Sequence, residues 1–237
     1  MMIISIEGNI GSGKSTIISE LKKLYINDSR IIFLEEPVSE WESITDGNKN
    51  IIEKFYENQE NYSFSFQMMA YISRLASIKR IIKKNLESNA SNASNVSNAS
   101  NDINKMINKL TLNTFIIVCE RSLYTDKNVF CKMLYDSGKI EKINYEIYLK
   151  WFNEFISELP DIYYIYLRTD PAVAYSRIQT RNRKGENMPF EYIEMCHKYH
   201  EEWLNNEKDK HIMNGNKSLE YNLNYVQSFI ETLNITE

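Results

Sequence analysis

The chain has 237 residues, 43% of them hydrophobic, with only 7 glycines and 4 prolines to break regular structure, which describes one large α/β domain with a sizeable core. A formal net charge of −4 without a basic tail argues against a nucleic acid polymer as partner, since neutralising phosphates takes a dense Lys/Arg surface. Cys119, Cys131 and Cys196 are odd in number and far apart, which fits neither a disulfide framework nor a metal knuckle and suits a reducing compartment.

The N-terminus enters the first apolar run, Ile3-Ile4-Ser5-Ile6, with no signal or transit pattern before it. No apolar stretch reaches the roughly 18 residues needed to span a bilayer, so the expectation is a cytoplasmic protein without membrane contact. Directly after this predicted strand comes Gly8-Asn9-Ile10-Gly11-Ser12-Gly13-Lys14-Ser15-Thr16, followed by the helical pattern of Ile17, Ile18 and Leu21. Strand, glycine-rich turn and helix in that order form a phosphate cradle. Backbone N–H groups curl around the anion, Lys14 reaches the outer phosphates, the Ser15 hydroxyl completes a magnesium shell, and the helix adds its positive end.

The second predicted strand, Ile31-Ile32-Phe33-Leu34, ends in Glu35-Glu36-Pro37-Val38, with Trp41 close behind. A long helical pattern from Tyr62 to Leu86 then carries apolar residues interrupted by Gln67 and Arg74. Seven residues apart, these two lie about 20° from each other around the axis, on one face. Exposed, they are solvated side chains; buried, they need polar partners, and a nucleobase edge is one such partner. From Ser88 to Asn101 the chain repeats Ser-Asn-Ala and Ser-Asn-Val units, a polar low-complexity tract read as a flexible surface insertion within the one domain.

The third predicted strand, Phe115-Ile116-Ile117-Val118, leads to Glu120-Arg121-Ser122, with Asp126 on the loop beyond, placed to orient Arg74. The fourth is Ile162–Leu167, followed by Asp170-Pro171 as the start of a helix bearing Arg177 and Arg181 one turn apart. Arg183 and the loop Lys184-Gly185-Glu186-Asn187 complete an arginine-rich lid at about 177–188. Ser218-Leu219-Glu220-Tyr221 is a weaker fifth strand.

Strand and helix alternation predicts a parallel sheet covered on both faces, which binds ligands beyond the carboxyl ends of its strands. Alone, Glu35-Glu36 reads as a solvated turn and Glu120-Arg121 as a surface ion pair of little worth. On one sheet rim they converge with the phosphate cradle on a single transferable phosphate.

These five motifs in this order resemble the deoxynucleoside kinases that act on deoxycytidine, deoxyguanosine and deoxyadenosine. The motifs are Gly8 to Thr16, Glu36-Pro37-Val38 with Trp41, Phe64-Ser65-Phe66-Gln67 continuing to Arg74, Glu120-Arg121-Ser122 with Asp126, and Arg177 to Arg183 with Glu186. The resemblance implies a P-loop kinase fold, a five-stranded parallel sheet of order 2-3-1-4-5 flanked by helices, a homodimer, and ATP with Mg2+ as cofactors. It implies transfer of the γ-phosphoryl group to the 5'-hydroxyl of a deoxyribonucleoside.

By the same resemblance Glu36 takes the hydroxyl proton, Arg121 holds that oxygen and the phosphate, and Glu120 is a magnesium ligand with Ser15 or else the proton acceptor itself. Tyr56 and Glu186 bind the 3'-hydroxyl, and Gln67 and Asp126 the base edge. Trp41, Ile52, Phe66 and Phe130 enclose the base, Arg177 lies on the adenine of ATP, and Arg181 and Arg183 lie on its phosphates. Arg74 paired with Asp126 resembles the relatives that act on deoxycytidine and deoxypurines rather than thymidine. The departures are Met69 in the base pocket, Tyr62, Gly185 and the Ser-Asn tract. A nucleoside monophosphate kinase is the nearest alternative; a regulatory switch lacks its Asp-x-x-Gly and Asn-Lys-x-Asp elements here.

Overall fold

A computed structural model describes residues 1–95, 115–182 and 188–233. Its centre is a parallel sheet of β1 (Met2–Glu7), β2 (Ile31–Leu34), β5 (Ile116–Glu120), β6 (Ile162–Arg168) and β7 (Lys210–Asn214), ordered β2-β5-β1-β6-β7. Counted along the chain without the separate hairpin β3 (Thr45–Asp46) and β4 (Lys49–Asn50), this is the expected 2-3-1-4-5. β1 is central because Met2–Ile6 pair with Met2↔Ile116 through Ile6↔Glu120 on one side, and Ile3–Glu7 pair with β6 on the other.

Successive side chains of a strand point to opposite faces, so each buried strand feeds two cores. Ile4, Ile6, Ile116, Val118, Ile165 and Leu167 meet α1 (Lys14–Leu24) and α10 (Leu219–Thr232) through Ile17, Ile18, Leu21, Val226 and Ile230. On the other face Ile3, Ile117 and Cys119 meet Ile78 of α4 (Gln59–Asn95), while Tyr164 and Tyr166 meet Trp203 and Leu204 of α9 (Phe190–Leu204). Between the second strand and α4 lie α2 (Val38–Glu42) and α3 (Ile51–Glu57), the latter started by a capping box in which Asn50 and Glu53 satisfy each other's backbone N–H.

After β5 the chain forms α5 (Leu123–Thr125), a π-helical stretch Asp126–Cys131, and α6 (Lys132–Asp136), then α7 (Lys142–Ile156). Asp126 therefore opens a helical stretch and is not on a loop. α8 (Pro171–Arg181) begins at Asp170-Pro171 as expected.

Two further expectations change. Ser218–Tyr221 is not a strand: the Ser218 hydroxyl accepts the Tyr221 N–H and caps α10, and the fifth strand is Lys210–Asn214. That strand is an edge, and only Met213 of its five residues is buried, so it carries no apolar run to mark it. The helical pattern also does not stop at Leu86, since the α4 backbone continues through the first Ser-Asn units to Asn95. Residues 96–101 of that tract, and Arg183, Lys184, Gly185 and Glu186 of the expected lid, lie outside the described residues.

Candidate active site

At the carboxyl rim of the sheet a cleft of about 960 Å³ runs from Trp41, Ile52 and Tyr56, past Glu36, Glu120 and Arg121, over the turn Ile10–Thr16, to Arg177, Arg181 and Asn222. The turn is fixed by local geometry. Gly8 has φ 146° and a Cβ there would come 2.7 Å from the Leu167 carbonyl oxygen, while Gly13, the N-cap of α1, has φ 104°. Lys14 is 3% exposed; its ammonium donates to the Asn9 carbonyl at 2.7 Å and the Ser12 hydroxyl at 3.2 Å. Burial, and next the charge of Arg121, lower its pKa to about 7 against the opposing pull of Glu120, Glu36 and Glu7.

Glu35 and Glu36 part company. Glu35 is a surface carboxylate paired with Lys22 at 2.8 Å, whereas Glu36 turns inward with 18% of its side chain exposed. Arg121 Nη1 donates to both Glu36 oxygens, at 3.0 and 3.1 Å, and Arg74 Nη2 donates to Oε1 at 3.0 Å. Burial pushes the Glu36 carboxyl up, but the two guanidinium groups and Lys14 overcome it and hold its pKa at about 2. Arg121 itself adopts φ 62° and lies 5.2 Å over the Phe130 ring. Ser15 Oγ donates to Glu120 Oε1 at 2.9 Å, so a hydroxyl and a carboxylate meet beside the phosphate turn.

Gln67 and Arg74 are both 2% exposed, which settles the choice between solvent and interior. Arg74 Nε donates to Asp126 Oδ2 at 2.9 Å and Nη1 to the Glu120 carbonyl at 2.7 Å, so one guanidinium joins Asp126, Glu120 and Glu36. Burial by itself lowers its pKa; the charges of Asp126 and Glu36 more than offset this and raise it. Gln67 Oε1 is buried with no hydrogen-bond partner among the described residues. Around it Phe66 stacks on Phe55 at 4.7 Å and meets the edge of Trp41 at 5.6 Å, and Trp41 is fixed by its indole N–H to Ser73 Oγ at 2.8 Å.

Most of the expected residues line this cleft: Ile10 to Thr16, Glu36, Trp41, Ile52, Tyr56, Phe66, Gln67, Glu120, Arg121, Asp126, Phe130, Arg177 and Arg181. Gly8 and Asn9 lie beneath the turn, with Asn9 Nδ2 donating to the Ile193 carbonyl at 2.9 Å, and Arg74 sits behind Glu36 and Asp126. Met69 does not line the cleft; Ala70 does, because it shares the Gln67 face of α4 three residues on. Arg177 is braced by the Ser12 carbonyl at 2.9 Å and the Gly215 carbonyl at 3.1 Å. Phe55, Ala70, Tyr192 and Asn222 were not anticipated. Apolar residues in helices read as core, and only the proximity of Phe55 to Tyr56 hinted at more.

A family model of deoxynucleoside kinases matches residues 4–235. The chain is 32% identical over 212 residues to a probable deoxycytidine kinase of fowlpox virus, covering 87% of this chain and 74% of that one. It is 30% identical over 253 residues to the deoxycytidine kinases of Bos taurus and Homo sapiens, covering 99% of this chain and 84% of each. A solved structure of deoxyadenosine kinase from M. mycoides, 22% identical, superposes with a TM-score of 0.70 over 98% of this chain and 100% of that one, which shows the shared fold.

Proposed function

Because the chain belongs to the deoxynucleoside kinase family and is an ATP-dependent phosphotransferase acting on deoxynucleosides, we propose that it phosphorylates the 5'-hydroxyl of deoxycytidine or a deoxypurine nucleoside in preference to thymidine. The observation that carries this reading is Glu36, ionised and gripped by Arg121 and Arg74, facing the phosphate turn across one cleft. A sugar hydroxyl is a weak nucleophile, so it must be aligned and relieved of its proton as the new bond forms. Glu36 takes that proton, and Arg121 holds the oxygen and the incoming phosphoryl group. Lys14, Arg177 and Arg181 hold the donor phosphates and base, and Tyr56, with Glu186, takes the 3'-hydroxyl.

Base preference rests on the Gln67 amide, whose acceptor has no partner among the described residues, beside the Asp126–Arg74 pair. The deoxycytidine kinase relatives favour the same choice. Ser15 and Glu120 offer oxygen ligands 2.9 Å apart, a donor set that suits Mg2+ carried in with ATP. When bound there, the ion neutralises charge on the transferring phosphoryl group.

A homodimer belongs to the same reading. Ile143, Ile147 and Trp151 expose an apolar stripe on α7, next to Ile72 on α4, with the two helices joined by the Tyr71 hydroxyl on the Trp151 carbonyl. So does a cytoplasmic location, which suits three buried, unpaired thiols; no helix among the described residues is long and apolar enough to cross a membrane.

The test is a panel of four deoxynucleosides and their monophosphates with ATP and Mg2+, scored by product. Monophosphate formation strongest with deoxycytidine or a deoxypurine is expected. An equal response to all four nucleosides overturns the base preference, and turnover of monophosphates alone overturns the choice of acceptor.

A further inference from the structure

Glu7 is the last residue of β1 and is fully buried, yet no cation pairs with it among the described residues. Such a carboxylate is costly unless its lone pairs are taken by donors, and here they are. Oε1 accepts the Ser5 hydroxyl at 2.7 Å and the Ser122 backbone N–H at 2.9 Å, and Oε2 accepts the Thr125 hydroxyl. Ser5 is two residues back on the same strand face and belongs to the strand that bears the carboxylate. The other two donors belong to the segment after β5.

Their positions are what give Glu7 a role. Ser122 immediately follows Arg121, and Thr125 immediately precedes Asp126. Arg121 has φ 62°, a backbone conformation that a non-glycine residue keeps only when its surroundings impose it. Two bonds to β1 do so: the Arg121 N–H to the Ile6 carbonyl at 3.1 Å and the Ser122 N–H to Glu7. The Thr125 bond sets the start of the π-helical stretch, and with it Asp126 and Arg74.

We propose that Glu7 is a positioning residue of the acceptor half of the active site: through Ser122 it sets the turn that aims Glu120 and Arg121 at the reaction centre, and through Thr125 it sets the cleft-lining Asp126 against Arg74 behind it. The donor half has supports of its own in the glycine turn and its contacts with Asn9, Ser12 and Arg177, and Glu7 exerts the smallest of the charge effects on Lys14 there. Disturbing Glu7 therefore separates the two halves. The inference rests on the roles proposed for Glu36, Glu120 and Arg121.

Three variants test it, each assayed for kcat, KM of the nucleoside and ATP affinity by calorimetry. Glu7→Leu removes every acceptor and is expected to lower kcat about 100-fold while ATP affinity stays within about threefold. Glu7→Gln keeps an oxygen for the Ser122 N–H, and the Thr125 hydroxyl can turn to accept from its amide, so activity returns to within several-fold of the parent. Thr125→Val removes only the Oε2 bond and is expected to raise the nucleoside KM about tenfold with kcat changed less. If Glu7→Leu does not fold, the other two variants decide. Parent-like kinetics in Glu7→Leu or Thr125→Val, loss of ATP affinity in step with kcat, or Glu7→Gln as poor as Glu7→Leu would each overturn the proposal. An active parent with a fully active Glu36→Gln would instead sink the underlying reading of the reaction centre.

Discussion

Glu36 shows how one side chain's surroundings decide what it does. Two guanidinium groups hold its pKa at about 2, so it stays a carboxylate throughout the working pH range, and in the proposed reaction it would act as a base only because a hydroxyl is pressed against it. Glu36→Gln keeps the shape and the hydrogen bonds to one oxygen but cannot take a proton; kcat is expected to fall about 10²- to 10⁴-fold with ATP affinity nearly unchanged, and near-normal turnover would reassign the proton to Glu120. Lys14 makes a pH prediction of the opposite sign. Its ammonium titrates at about 7 in the free protein, and bound phosphates favour the charged form. kcat/KM for ATP, which reports the free enzyme, should therefore decline above about pH 7, while kcat, which reports the loaded one, holds to higher pH. ATP binding near pH 8 should take up protons, visible by calorimetry in buffers of different ionisation enthalpy; no uptake contradicts it. Lys14 could be singled out in the sequence because it sits in a short contiguous phosphate-turn motif, and Glu36 only because its strand end shares the sheet rim with that turn. Glu7 could not. A single acid at the end of an apolar strand reads as the point where the strand meets solvent, and its partners Ser122 and Thr125 are more than a hundred residues away.

Uninterrupted apolar runs were readable even at the edge strand β2, and the polar edge strand β7 was not. β2 was placed at Ile31–Leu34 to the residue because its run is uninterrupted, and the Gln67–Arg74 face of α4 was identified because polar residues at a seven-residue spacing interrupt an apolar stripe. β7 was missed, and the start of α10 was mistaken for a strand, because an edge strand needs little apolar character and four residues cannot show a helical period. The observed cap makes the difference measurable. Ser218 accepts the Tyr221 N–H, so Ser218→Ala should cost about 0.5–2 kcal/mol in urea unfolding, whereas in a surface strand the change would be near neutral. The π-helical stretch at Asp126–Cys131 had no signal at all. Within it Asp126 and Phe130 line the cleft while Val129 and Cys131 enter the core.

At the scale of the molecule, two crossovers skip a place in the sheet, β1 to β2 and β5 to β6, and the resulting order puts the carboxylate-bearing end of β5 between that of β2 and the glycine turn after β1. What the chain's own core leaves over is the outer face of α7. Ile143 is 64% exposed, Ile147 39% and Trp151 49%, at positions i, i+4 and i+8, while Ile72 of α4 is 51% exposed. Trp151 stacks on Phe155 and so presents a flat, ordered surface. A two-fold axis through this face would cover each residue with the same face of a second copy, burying it without any new sequence feature. The double substitution Ile147→Glu, Trp151→Glu separates assembly from folding: in a monomer both sites are surface positions whose exchange costs little, but across a two-fold axis it sets four carboxylates in one apolar contact. Sedimentation velocity at micromolar concentration should give the parent twice the 28.0 kDa chain mass and the variant the chain mass, with the circular dichroism spectrum retained. A parent that sediments as a monomer, or a variant that stays dimeric, would move the interface elsewhere or remove it.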